Sequence, residues 1–361
     1  VVDPRKIELA KYATYHLQLR PGTNVALLNM MLYYIIEGNA QDHDFIANRT
    51  QDFEGFKAEI MQLDMDEHER ITGVDKNLVK EAALAYANAN AAMEFHGLGV
   101  TEHYQGTFTV QLISDLAMIT GNIGKPGCGV NPLRGQNNVQ GAADMGAQPH
   151  QGAGYLDVTD PSIQHKYNTF YKTDKVPSHV GYKIPEMFNA AIAGDLKALW
   201  IIGEDVVQTD PNTKKVMQAM DALDLLVVQE LFMTETAKHA TVVLPGASFL
   251  EKDGTFTNGE RRIQRVNKVV EPLEGTKADG QIIVEMMRKM GYDQPDYSGA
   301  GVLEEVSQIV PFFAGATWEG LGTNGLQWPV KPDGTDTQLL HTEVFKRDNG
   351  LGKFTFKNWE E

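Results

Sequence analysis

One cation stands in the middle of a stretch almost free of large apolar residues. Arg134 lies within GNIGKPGCGVNPLRGQNNVQGAADMGAQP, Gly121 to Pro149, flanked by Pro132, Gly135, Gln136, Asn137 and Asn138. A guanidinium offers a planar fork of donors that matches a carboxylate or a phosphate. Glycines let a backbone approach a ligand where a Cβ would collide. The stretch has neither the helical nor the strand hydrophobic period, and it is neither highly charged nor of low complexity. Loops of this length inside compact domains are usually functional. It therefore reads as an ordered loop around an anion, in preference to a surface arginine on a connector.

The flanking elements are those of an α/β protein. Upstream, Val1–Val2 ends in Asp3, a position that takes ribose hydroxyls in nucleotide-binding units or caps a helix before Pro4. The turn Arg20-Pro21-Gly22-Thr23-Asn24 feeds a helix over 25–37, whose methionines read as core. Residues 45–66 read as two short amphipathic helices, and 74–90 as a helix with Asp75 as its cap. A strand over 92–95 leads through His96-Gly97-Leu98-Gly99 to Glu102, and a helix over 106–120 delivers the chain to the loop. His96 and His103 are not at metal spacing and read as ordinary polar or capping histidines. Cys128 reads as a small loop residue.

Downstream, 160–184 reads as an irregular surface excursion and 185–194 as a short helix. The apolar run Ala198-Leu199-Trp200-Ile201-Ile202 is typical of a parallel strand covered on both faces. Further strands over 225–228 and 241–244, separated by helices over 212–223 and 234–239, place Gly203-Glu204-Asp205, Gln229-Glu230 and Pro245 on one carboxyl rim. Open parallel sheets bind ligands at that rim. Helix capping accounts for Asp205 but not for the paired carboxylates of Glu204 and Glu230. Residues 252–262 are turn-rich with cations at the edges, 279–291 and 302–309 read as helices, and the final KFTFKNW as an opening strand.

With 361 residues the chain can bury a sizeable core. Its net charge of −16 argues against nucleic acid or an anionic membrane as main partner. There is no membrane-spanning run and no signal-peptide pattern. A single cysteine excludes an intrachain disulfide framework and a four-cysteine cluster built from this chain alone. GxSxG, HExxH, P-loop and CxxC motifs are absent, and no convincing GxGxxG supports direct NAD binding.

The run VNPLRGQNNVQGAADMG resembles the active-site loop of molybdenum- or tungsten-dependent formate dehydrogenases, within the bis-(molybdopterin guanine dinucleotide) family. Similarity extends along the whole chain. It implies an α/β fold of Rossmann-like parallel sheets with flanking helices, two sub-domains of the formate dehydrogenase and DMSO reductase-like type. Residues 1–136 would be the rear of the domain bearing the metal ligand, and 137–248 a second α/β domain. Residues 249–361 would return towards the first domain and the iron–sulfur and C-terminal regions.

By that resemblance Arg134 pairs with the carboxylate of formate and orients its C–H bond towards the metal, while Gln136 lines the pocket. Asp3, Arg5, Gly22, Thr23, Asn24, Leu98 and Glu102 would hold one pyranopterin guanine dinucleotide. Gly203, Glu204, Asp205, Gln229, Glu230, Lys252 and Asp279 would hold the second. The metal-ligating cysteine or selenocysteine, its neighbouring histidine and the [4Fe–4S] cysteines would lie upstream of Val1, so no metal ligand is assigned here. The chain by itself is then expected to hold no cofactor tightly and to oxidise no formate. Implied partners are formate or CO2 and electron-transfer subunits with iron–sulfur or flavin centres, in the cytoplasm. Another member such as a nitrate reductase fits less well, because its loop lacks the arginine. A non-catalytic scaffold subunit fits less well too, because it would have no use for the intact Arg134–Gln136 loop.

Overall fold

The structure is a computed structural model that describes all 361 residues. The chain forms two compact units, one of residues 1–135 with 338–361 and the other of 136–337. Of the third segment read from sequence, residues 249–337 belong to the same unit as 137–248, and 338–361 to the unit of residues 1–135.

The first unit is built around helix α1 (Asn24–Glu37), in which Ala26, Met30, Leu32 and Ile35 are wholly buried. A helix apolar on nearly all sides must sit centrally. Helices α2 (Lys76–Ala87) and α3 (Gly106–Ile119) pack on it. The Asp75 carboxylate caps α2 by accepting the Asn77 N–H at 2.7 Å. Strands β1 (Met93–His96) and β2 (Gly129–Pro132) pair in parallel, Met93 opposite Gly129 and His96 opposite Pro132.

The C-terminal residues lie across α1 and α3, held by side chains that bond their backbone. Asn29 Nδ2 donates to the Lys357 carbonyl and Gln105 Nε2 to that of Asn358, both at 2.9 Å. The Thr355 N–H donates to buried Asp115 at 3.3 Å. Trp359 Nε1 donates to the Gly22 carbonyl at 2.9 Å.

The second unit opens on helix α4 (Val139–Asp144). Its last residue, Asp144, is fully buried and accepts hydrogen bonds from Gln140 Nε2 at 2.9 Å, Tyr155 OH at 2.7 Å and Trp328 Nε1 at 2.9 Å. Three parallel strands follow in the order β3 (Ala198–Ile202), β4 (Leu225–Glu230) and β5 (Val242–Pro245). The helices Ile184–Ala193 and Thr213–Asp221 supply Phe188, Val216 and Ala219 to a core with Leu226 and Val228. A separate cluster around Ile263, Leu303, Phe313 and Leu321 lies under the antiparallel strands β6 (Gly254–Thr257) and β7 (Arg262–Val266). Helix α5 (Asp279–Lys289) precedes helix α6 (Gly299–Ile309), which supplies Leu303 to that cluster with Val306 at its edge. At Gly315 an added Cβ would lie 1.6 Å from the Lys331 carbonyl oxygen, so only glycine fits there.

Several local expectations need correction. The glycine-rich stretch is not all loop; it contains β2 and α4, of four and six residues. Elements so short carry no readable period. The two helices read over 45–66 are His43–Arg49 and Phe53–Ile60, and a third, Met65–Thr72, starts at the end of that span. The segment after Asp160 forms a helix, Pro161–Tyr171, with the Asp160 carboxylate accepting the Ser162 N–H at 2.7 Å and proline in its first turn. Val2 forms only an isolated bridge with Leu17, and the C-terminal strand is the pair Gly352–Lys353. The turn at Thr236–His239 is a 3-10 helix.

Candidate active and cofactor site

In the first unit the carboxyl ends of β1 and β2 form a short rim. The Leu133 N–H donates to the His96 carbonyl at 2.7 Å, which holds the chain just before Arg134 against the end of β1. Arg134 is exposed, as is Gln136 at the start of the second unit. His96 is buried, and burial together with the nearby Arg134 charge holds it below the usual histidine range. The turn after β1 reaches the start of α1, because Asn24 Nδ2 donates to the Gly99 carbonyl at 3.4 Å. That bond brings Gly22, Thr23 and Asn24 together with Leu98 and Glu102. Gly22 has φ +84° and open space where a Cβ would stand, and the Thr23 hydroxyl is committed to the Arg20 carbonyl at 2.7 Å. Asp3 closes a turn by accepting the Arg5 N–H at 2.7 Å, and does not cap a helix.

In the second unit hydrogen bonds link the expected rim residues directly. The Gly203 N–H donates to the Gln229 carbonyl at 2.9 Å. Gln229 Nε2 donates to Asp279 Oδ1 at 2.7 Å, and the Lys252 ammonium pairs with Asp279 Oδ2. Glu204 accepts the Thr209 hydroxyl at 2.5 Å, and Glu230 the Leu231 N–H at 2.6 Å, each through one oxygen. Asp205 is more fully spent. It accepts the Thr236 N–H and hydroxyl at 2.9 and 2.6 Å and Gln208 Nε2 at 2.7 Å. Burial pushes its carboxyl up, and the bonds from Thr236 outweigh that and hold it below the usual range.

This rim fits a dinucleotide. Gln229 is 1% exposed, yet its Oε1 is sealed from water without a partner, and buried polar atoms are ordinarily paired. Gly203 has φ +64° and nothing within 4 Å of a notional Cβ. Carboxylates and an amide oxygen can accept from ribose hydroxyls and from the N–H groups of a guanine, and Lys252 can offset phosphate charge. The half-buried Glu94 and the buried Asp115 and Asp144 carry no signal in the sequence, and the last two are covered by residues distant along the chain.

A parallel α/β sheet with an acidic, amide-lined carboxyl rim has the arrangement at which open sheets of this class bind ligands. Residues 1–289 match the model of the molybdopterin oxidoreductase family. The chain belongs to that family, as the loop resemblance implied, and membership implies a molybdopterin cofactor. It is 43% identical over 364 residues to formate dehydrogenase H of Escherichia coli (strain K12), covering 99% of this chain and 51% of that protein. It is 44% identical over 356 residues to the F420-dependent formate dehydrogenase subunit alpha of Methanocaldococcus jannaschii, covering 98% of this chain and 52% of that one. The chain thus spans about half the length of these relatives. In fold it is similar to acetylene hydratase from Pelobacter acetylenicus, with a TM-score of 0.68 at 20% identity, over 93% of this chain and 50% of the other. No helix is long and apolar enough to cross a membrane.

Proposed function

We propose that this chain is part of a formate dehydrogenase catalytic subunit, which oxidises formate to CO2, or runs the reverse, at molybdenum or tungsten held by two molybdopterin guanine dinucleotides. The observation that carries the reading is a guanidinium, Arg134, two residues beyond a parallel strand at its carboxyl rim, in a loop of glycines and amides. When bound, the metal and its sulfur ligands take up the two electrons that leave formate. The residues of this chain do the rest by position and charge. Arg134 pairs with both formate oxygens and fixes the direction of the C–H bond, and Gln136 lines the same pocket.

Asp3, Arg5, Gly22, Thr23, Asn24, Leu98 and Glu102 contact one dinucleotide. Gly203, Glu204, Asp205, Gln229, Glu230, Lys252 and Asp279 contact the other, with carboxylates on ribose and guanine donors and Lys252 beside the diphosphate. Electrons pass on through iron–sulfur or flavin centres on other parts of the assembly, a [4Fe–4S] cluster among them. The relatives quoted above are named as formate dehydrogenases, which supports the choice of substrate.

The test is an anaerobic dye assay on a protein of the relatives' full length containing this chain, loaded with cofactor. Formate is expected to reduce the dye, and nitrate is expected not to reoxidise it. Nitrate reduction without formate oxidation would overturn the assignment.

A further inference from the structure

Two side-chain atoms on one strand of the first unit are sealed from water without a hydrogen-bond partner, Glu94 Oε2 and His96 Nδ1. Their residues stand two apart on β1 and so share a face. Met93 and Phe95, on the other face, are exposed. Buried polar atoms of this kind are ordinarily satisfied by protein or ordered water. The Cα atoms of residues two apart along a strand are about 6.5 Å apart, so polar side chains on the same face are near neighbours that one shared water can serve. The other Glu94 oxygen accepts the Tyr86 hydroxyl. The second imidazole nitrogen, Nε2, is not among the sealed atoms, and Arg134, whose charge acts on the ring, follows the neighbouring strand by two residues.

We propose that His96 is a proton acceptor for the site headed by Arg134, held in its Nδ1–H tautomer by Glu94 through one bridging water. The source of the proton rests on the formate-oxidising reading; the tautomer does not. Oxidation of formate would release one proton as CO2 forms, with its two electrons going to the bound cofactor. Nε2 takes that proton, Nδ1 releases its own to the bridging water, and the water passes one to the Glu94 carboxylate. The imidazole ends neutral and the carboxyl ends protonated.

The electrostatics suit both partners. Burial and the Arg134 charge keep the imidazole neutral near pH 7, and burial pushes Glu94 up to about 7, so it can hold or release a proton there. The groups around the pair add no competing charge. From α2, Tyr86 donates to Glu94, and from β2, Asn131 Nδ2 donates to the Glu94 carbonyl at 3.3 Å. The Cys128 thiol donates to Asn122 at 3.2 Å. The one titratable residue of α3, Asp115, accepts from Thr355.

Nitrogen-15 NMR of the histidine-labelled chain tests this, with His96→Gln identifying the signal. The wild type is expected in the Nδ1–H form, with a second inflection near pH 7 as Glu94 ionises. Glu94→Leu is expected to shift the ring to the Nε2–H form. Glu94→Gln should keep the tautomer and abolish the inflection, which leaves a reading if the leucine variant does not fold. An Nε2–H wild type, or identical signals in wild type and variants, would overturn the proposal. In the loaded protein His96→Gln is expected to lower kcat by about a hundredfold, with KM for formate within about twofold, and an unchanged kcat would count against it. Absence of formate turnover in the wild type would instead refute the functional reading, with the tautomer measurement still decisive for the pair.

Discussion

Replacing Arg134 with alanine is expected to lower kcat/KM for formate by about a thousandfold, on the order of 4 kcal/mol of transition-state stabilisation. A planar fork that grips both oxygens of a one-carbon acid supplies orientation as well as charge, and orientation is worth most when the substrate has no other handle. Arg134→Lys keeps the charge and loses the fork, so it is expected to fall between, at about a thirtyfold loss. Arg70 is a suitable control: it is exposed and paired with Glu67 at 2.5 Å on a helix surface, and pairs of that kind contribute little. Arg70→Ala should change formate turnover by less than about twofold. Steady-state dye reduction separates these outcomes, and an Arg134→Ala loss of less than about tenfold would remove the arginine from the substrate site.

Asp115→Asn is expected to reverse sign with pH, destabilising the fold slightly in acid and stabilising it strongly in mild base. Asp115 is 1% exposed, and burial pushes its carboxyl up to about 8 from an ordinary value of 3.8, against one N–H bond from Thr355 that lowers it. A carboxyl raised by folding binds more protons in the native state than in the unfolded one. The cost of ionising it is therefore absent below about pH 4, grows through the window from 4 to 8, and is complete above 8. At about 1.4 kcal/mol per pH unit the full cost is on the order of 6 kcal/mol. Asparagine keeps the shape and can accept the Thr355 N–H but cannot ionise. Its extra buried donors cost about 1–2 kcal/mol at every pH, so the two stability curves should cross in the acid half of that window. Glu94, pushed up to about 7, adds a slope of the same sign to both proteins and leaves the difference untouched. Denaturant unfolding from pH 5 to 9 measures it, and parallel curves would contradict this description of Asp115.

The parallel strands of the second unit were legible because each is a short apolar run that ends in polar residues or glycine, such as Gly203-Glu204 after β3 and Gln229-Glu230 at the end of β4. Helix α1 was legible from its continuous apolar content, and α2 from its Asp75 cap. The helix after Asp160 had a readable signal, an acidic cap followed by proline, obscured by the polar residues that follow. The buried carboxyl groups had none. Asp144 is satisfied in part by Trp328, 184 positions away, and Asp115 by Thr355, 240 positions away. Burial of a charge is set by what folds over it, which no local window contains. The type and spacing of His96 suggest nothing beyond an ordinary polar histidine, and only its sealed nitrogen and the nearby Arg134 charge, both set by the fold, bring it into the proposal above.

The most direct check on the account is a count of guanine nucleotides. Acid hydrolysis of the loaded full-length protein should release two guanosine monophosphates per polypeptide, one from the Gly22–Glu102 cluster and one from the Gly203–Asp279 rim. Release of one or none would mean that at least one of these two clusters does not hold a dinucleotide.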